Sequence, residues 1–349
     1  MKIVFLTNGN HPGTLGGIQT FNRNLKKIFQ NDLITLTLKN KNRKFYKIND
    51  VIEVGGEGIF YRIVNKLSKR MLIKFLIRRK IRKIKPDVCI LSSPIEIDIL
   101  KNIKCRKILV QHTGYLSYLD SYFNNDKDLI ERSKKELDYF VFLSKYDLKK
   151  FNEELNFPIE KSIVIRHTVD LELFCGIKEK NKKLIMIGRI YNEDKRYDLA
   201  ISAMKKLKEF TLLIYGDGPD LKYLKDLVSK EKINNVIFKG PTNNIVKALD
   251  EASIFIMTSD YEGYGITNIE AMRRGLPIIL RNTFEAAEDI VVDNKNGILL
   301  GKEWNEDKFV KAVQEIYDNY NYYHKNAMLE RKKYDYTIIK AKWEQVLKI

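Results

Sequence analysis

Two carboxylates eight residues apart, Glu262 and Glu270, stand on either side of a glycine-bearing turn in Ser259 to Pro277, SDYEGYGITNIEAMRRGLP. The preceding run, SIFIMTS (Ser253 to Ser259), is apolar, β-branched and short enough for a buried parallel strand; Gly263 and Gly265 break it, and a helix is expected from about Ile266. The first amides of a helix lack intrahelical partners and carry the positive end of its dipole, and glycine lets a diphosphate approach the backbone with no Cβ in the way. Glu262 comes just before that helix and Glu270 about one turn inside it. One carboxylate can therefore reach a group beyond the phosphates while the other accepts hydrogen bonds from vicinal hydroxyls, such as those of a ribose. A sugar on each side of a diphosphate is the outline of a nucleotide-sugar. The pair alone says little in a chain with 45 acidic residues, where it could equally solvate a loop and a helix face. What gives it meaning is its place at a strand, glycine loop, helix junction, followed by a helix stop at Gly275 and a second apolar strand after Pro277.

Other residues of the same kind fall at strand ends. In LIMIGRIYNEDKR, Arg189 follows a strand directly and Lys195 comes six residues later. Cations there would oppose the charge that builds on a departing diphosphate, in a chain with no metal motif to do so; as plain chemistry they are also compatible with an exposed loop pair. LIYGDGPD puts Gly216 and Gly218 in a turn after another strand, where they either bring backbone close to a ligand or simply close the turn. GTLGGIQTF places Gly16 and Gly17 between the first strand and a helix, although the fingerprint of a dinucleotide or P-loop site is missing. His112 ends the strand in QHTGY, a position that also suits a local hydrogen bonder.

Taken together, these strings resemble the retaining glycosyltransferases of the GT-B fold that carry the Glu-x7-Glu signature, the family 4-like enzymes also called glycosyl transferases group 1. The likeness runs over nearly the whole chain: the GG loop, the family's G-R-x5-K in Arg189 and Lys195, its GDGP turn, and NVIFKGPT, where Thr242 is the position expected to contact the base through backbone. The resemblance implies that Glu270 holds the ribose, Arg189, Lys195 and the amides of Gly265 and Ile266 the diphosphate, and Glu262 a donor-sugar hydroxyl. It places His112 and the Gly16-Gly17 loop near the donor sugar or acceptor. It also implies retention, with no evident nucleophile, no cofactor and no metal, a UDP-sugar as donor, and a cell-surface polysaccharide or lipid-linked glycan as acceptor. One departure stands out. IRHTVDLELF keeps Val169, Asp170 and Phe174 of the hinge motif P-N-G-V-D-x-x-x-F, but His167 and Thr168 replace its Asn and Gly. Other readings of the set are another GT-B enzyme, such as a nucleotide-sugar epimerase or a phosphorylase, and a catalytically idle paralogue acting as a binding or chaperone subunit.

The elements that must position these residues alternate strand and helix from end to end. KIVFLTN, LITLTL, DVCILSS, KILVQHT, YFVFLS and SIVIRH read as strands in the first half, and KLIMIGR, FTLLIYG, NVIFKG, SIFIMTS and PIILRN in the second. Such alternation predicts parallel sheets with right-handed crossovers. A length of 349 residues predicts two domains. The expectation is an α/β chain of two doubly wound, Rossmann-like domains facing a central cleft: residues 1–170 on the acceptor side, 171–333 for the nucleotide-sugar, and a C-terminal helix, 334–349, returning to the first.

Charge is lopsided, with a formal net charge of +18 concentrated in the first half. YRIVNKLSKRMLIKFLIRRKIRKIK (Tyr61 to Lys85) holds eleven Lys or Arg and no acid. Its apolar residues fit a helical stripe, which suits either an anionic membrane surface or a core-facing helix with a solvated basic face. Nucleic acid is not expected as a partner, since no helix-turn-helix, RNP-like strand or zinc-finger spacing is visible. Three scattered cysteines, Cys89, Cys105 and Cys175, argue against a disulfide framework or zinc site. No run approaches the roughly 18 apolar residues of a membrane span. A cytoplasmic protein, peripheral at most on the inner face of the plasma membrane, is the expectation.

Overall fold

The computed structural model describes residues 1–7, 11–14, 17–39, 47–55, 71–169, 171–176 and 178–348. The chain divides into two compact units, Met1–Thr168 with Tyr336–Ile349, and Val169–Asp335. Both are parallel sheets covered by helices, the α/β class expected from the alternating pattern.

In the first unit, seven strands run β1 (Ile3–Thr7), β2 (Leu33–Leu38), β3 (Val51–Val54), β4 (Val88–Leu91), β5 (Arg106–Val110), β6 (Tyr139–Phe142) and β7 (Ser162–Val164). Their spatial order is β3-β2-β1-β4-β5-β6-β7, and every described pairing is parallel. Because side chains alternate across a strand, β1 sends Val4 and Leu6 to one core and Ile3 and Phe5 to the other. The first core is closed by Ile73, Ile77 and Ile81 of the helix Met71–Ile84. The second is closed by Phe21 and Leu25 of the helix Gly17–Phe29, together with Ile339, Trp343 and Val346 of the helix Tyr336–Leu347.

The apolar stripe read in Tyr61 to Lys85 thus has a definite destination over its described part. Ile73, Ile77 and Ile81 are core residues and are not available to a lipid surface. Met71 and Phe75 remain exposed beside Arg79, Lys80, Arg82 and Lys83, while Arg78 donates to the carbonyl of Lys101. Residues 61–70 lie outside the described residues. Among the described residues, no helix is long and apolar enough to cross a membrane.

The second unit has six strands: β8 (Lys183–Ile187), β9 (Thr211–Tyr215), β10 (Val236–Gly240), β11 (Ile254–Met257), β12 (Ile278–Arg281) and β13 (Gly297–Leu300). They are all parallel, in the order β10-β9-β8-β11-β12-β13. In each sheet the winding reverses once, between β1 and β4 in the first and between β8 and β11 in the second. In open α/β sheets the crevice for ligands opens at that reversal, beyond the carboxyl ends of the strands.

Candidate functional site

The reversal in the second sheet brings two loops side by side, one leaving β8 and the other leaving β11. The first carries Arg189 and Lys195, the second Glu262 and Gly265. Lys195 Nζ lies 2.5 Å from Glu262 Oε1, and the same oxygen accepts from Ser259 Oγ at 3.1 Å. Glu262 is 9% exposed, so its charge is held by a cation and a hydroxyl rather than by bulk water. Arg189 is exposed, its guanidinium 5.7 Å from the centre of the Tyr191 ring.

Gly265 has φ +66 and caps the helix Ile266–Arg273 without a side-chain hydrogen bond. A Cβ at this position would meet Asn268 Nδ2 at 2.4 Å, so the left-handed backbone favours glycine and any side chain would have to displace the Asn268 amide. Among the residues of the helix's first turn none is acidic, which leaves the positive end of the dipole without an internal carboxylate. Glu270 stands on this helix, half-buried, and its main-chain carbonyl accepts from Arg274. Gly275, at φ +74, ends the helix as a left-handed residue just past its last turn.

The GDGP turn after β9 has a structural explanation first. A Cβ on Gly216 would fall 1.8 Å from the carbonyl oxygen of Gly188, and one on Gly218 would fall 2.1 Å from that of Ile190. The two glycines let the turn lie flat against the loop that bears Arg189. Ile190 N donates to Asp217 O at 2.9 Å, and Asn192 N to Asp220 Oδ2 at 2.7 Å, so this turn positions the Arg189 loop. Thr242, in the exposed loop after β10, spends its hydroxyl as acceptor for Asn244 N at 3.0 Å. Its side chain is a turn former.

In the first unit, Gly17 opens the helix that follows β1, while Gly16 lies outside the described residues. The preceding loop is fastened from within: His11 Nδ1 accepts from Gly13 N at 2.9 Å, and Arg23 Nη1 donates to the carbonyls of Pro12 and Thr14 at 2.7 and 2.9 Å. His112 follows β5 in this unit. The Phe21 ring meets both the His112 and His167 rings edge to face, with centroids 5.2 and 5.1 Å away. Burial pushes the His112 imidazole down to about 3, aided by the neighbouring His167, and burial alone pushes His167 down to about 4. Both rings are therefore neutral near pH 7. His112 Nε2 is buried without a hydrogen-bond partner.

Sequence reasoning missed Ser259, and it missed a group of ions around Asp260 that ties the two loops of the second unit together. Asp260 accepts from Arg196 Nη1 at 2.8 Å and also from Arg281. Burial opposes its charge, yet these two guanidinium groups hold its carboxyl below the usual carboxylate range. Arg281 ends β12, where nothing in the local pattern marks it. Among the described residues, no group of three or more His, Cys, Asp or Glu could hold a metal ion.

Two doubly wound units with this strand order define the GT-B class. A structure of Alr3699/HepE from Anabaena, in complex with UDP and glucose, superposes with a TM-score of 0.79 at 16% identity, covering 99% of each chain. Residues 174–333, nearly all of the second unit, match the family described as "Glycosyl transferases group 1". Among curated relatives, the poly(glycerol-phosphate) alpha-glucosyltransferase of Bacillus subtilis is 26% identical over 60% of this chain and 33% of its own length. The O-antigen biosynthesis glycosyltransferase WbnH of Escherichia coli is 28% identical over 66% of each. The chain thus spans between a third and two thirds of the length of these relatives.

Proposed function

We propose that the protein is a retaining glycosyltransferase that moves a sugar from a nucleotide diphosphate donor, a UDP-sugar, to an acceptor hydroxyl of a cell-surface polysaccharide or lipid-linked glycan. The observation that carries this reading is the Lys195–Glu262 pair, set where β8 and β11 end on either side of the sheet reversal. The relatives' roles in poly(glycerol-phosphate) glucosylation and O-antigen synthesis support the substrate class.

In the proposed reaction the bond between the sugar's anomeric carbon and the diphosphate oxygen breaks, the acceptor oxygen bonds to that carbon on the same face, and its proton passes to the departing phosphate. Arg189, Lys195 and the amides of Gly265 and Ile266 would oppose the growing charge, which is stabilisation by groups already in place. Glu270 would accept from the ribose hydroxyls and Glu262 from a donor-sugar hydroxyl. Lys195 is paired with Glu262, and a bound diphosphate would offer it a second anion. His112 and Gly17 are the first unit's candidates for contact with the donor sugar or acceptor. An anionic bilayer is proposed to present a lipid-linked acceptor at the inner face of the plasma membrane, through the basic positions of Met71–Ile84.

A thermal-shift series with UDP, GDP and ADP, followed by transfer assays with the matching nucleotide sugars, tests this. UDP should raise the melting transition, by the equivalent of about 2.7 kcal/mol at a hundredfold excess over its Kd. Arg189→Ala and Lys195→Ala should each lower turnover at saturating donor by about a hundredfold. If no nucleotide diphosphate shifts the transition, the reading fails.

A further inference from the structure

We infer that Arg196, Asp260 and Arg281 form a clasp of positioning residues that holds the Lys195 loop against the Glu262 loop, an inference that rests on the transferase reading for its kinetic consequences. Arg196 is the residue directly after the four-residue helix Asn192–Lys195 and has φ +50. Glycine enters that region freely and a side-chain-bearing residue enters it at a cost, so local backbone preference does not account for an arginine there. Its side chain does. The guanidinium grips Asp198 through Nε at 3.1 Å and Nη2 at 3.2 Å, and reaches Asp260 Oδ2 through Nη1 at 2.8 Å.

Asp260 is the centre of the clasp. Its other oxygen accepts from Arg281, a cation only 5% exposed, which also donates to the carbonyls of Thr258 at 2.8 Å and Lys302 at 2.6 Å. The backbone repeats the connection: Asp260 N donates to Asp194 O at 2.8 Å, and Thr258 Oγ1 to the carbonyls of Lys195 at 3.1 Å and Arg196 at 2.8 Å. These bonds bracket Lys195 on both sides in sequence and fix its backbone relative to Ser259 and Glu262. A lysine has a long flexible stem, so the place of its ammonium is only as definite as the loop beneath it. A charge that must meet a leaving group in the transition state depends on that placement more than ground-state donor binding does.

The test uses the full-length chain with Asp260→Asn, Arg196→Gly and Lys195→Ala, singly and with each clasp change combined with Lys195→Ala. Asp260→Asn should lower kcat about tenfold while KM for the donor changes less than about threefold. Arg196→Gly should lower kcat in the same way, and because glycine suits φ +50 it offsets part of the stability lost with the pairs to Asp198 and Asp260. In the Lys195→Ala background either change should lower kcat by less than about twofold, since the residue it acts through is gone. A full drop in that background, or single variants with normal kcat, overturns the clasp. A wild-type protein that transfers no sugar from any nucleotide sugar overturns the transferase reading instead. The clasp is then decided by NMR of ¹³C-methylated lysines: the Lys195 signal should move in Asp260→Asn and Arg196→Gly, and an unmoved signal overturns it.

Discussion

Glu270 occupies the second turn of the helix Ile266–Arg273, with Gly265 at the mouth of that helix in the left-handed region that glycine enters most freely. If this carboxylate holds a ribose, Glu270→Ala leaves two hydroxyls without their acceptor and should weaken nucleotide binding by about 1 to 3 kcal/mol. Calorimetric titration with UDP reads this directly, and an unaltered Kd rules the role out. His167 offers a test of a different kind. Its folded-state pKa of about 4 lies well below the ordinary value, owing to burial, so below pH 6.5 the unfolded chain takes up a proton that the folded chain refuses. Stability contributed by the neutral ring is therefore complete above about pH 6.5 and declines as the pH falls toward 4, reaching a loss of about 2 kcal/mol at pH 5. His167→Asn, the residue of the hinge motif this segment resembles, should flatten that decline in melting temperature between pH 7 and 5. Equal slopes for wild type and variant would show that the ring does not titrate as its burial dictates.

At the scale of elements, the helix Met71–Ile84 shows one sequence pattern serving two faces. Ile77 is 1% exposed in the core under β1, and Ile77→Asp should unfold the first unit or lower its stability by several kcal/mol, on the order of burying an unpaired charge. The outer face, by contrast, can change without touching the core. Changing Arg79, Lys80, Arg82 and Lys83 to Ser should abolish co-sedimentation with anionic vesicles at low salt while leaving the melting temperature within a degree or two, each cation being worth roughly 1 kcal/mol at such a surface. Equal sedimentation of wild type and variant would leave Phe75 and its basic neighbours as ordinary solvated positions. Legibility followed the same division. The long apolar runs of β1, β4, β8 and β11 announce buried parallel strands, and the site residues follow from where those strands end. β3 (VIEV) and β13 (GILL) gave no such signal: each is a four-residue edge strand, the first interrupted by Glu53 and the second opening on Gly297. The Asp260 clasp was silent for another reason: Arg196, Asp260 and Arg281 come from three separate segments, and only the assembled sheet brings them together. Gly216 and Gly218 were legible as a turn, but the backbone they must admit, Gly188 to Ile190, is set by tertiary packing.

Over the whole molecule, the two units differ in how the chain builds them. The second is one continuous segment, whereas the first needs the helix Tyr336–Leu347 from the far end of the chain to finish its core. That helix inserts Trp343, 1% exposed, with its ring centroid 6.2 Å from Phe21 and 6.1 Å from Phe29. It is pinned by Arg106 Nη1 on the carbonyl of Val346 at 2.9 Å and by Lys342 Nζ on that of Val164 at 3.1 Å. Removing residues 336–349 would take Ile339, Trp343, Val346 and Leu347 out of the first unit's core and uncover Phe21 and Phe29, while the apolar core of the second unit would keep every residue it has. The two tryptophans make the consequence measurable, because Trp343 belongs to the first unit and Trp304 packs beside Phe309 in the second. A chain ending at residue 335 should lose the cooperative unfolding of its first unit and expose apolar surface to dye. Its remaining Trp304 fluorescence should still report a folded second unit whose transition UDP raises, if the nucleotide is held by that unit alone. Trp343→Ala in the full chain should weaken the first unit by about 3 to 5 kcal/mol and leave the Trp304 transition in place. A Trp304 signal that melts together with the truncated first unit, or that no longer responds to UDP, would show that nucleotide binding depends on the first unit and on the returning helix that completes it.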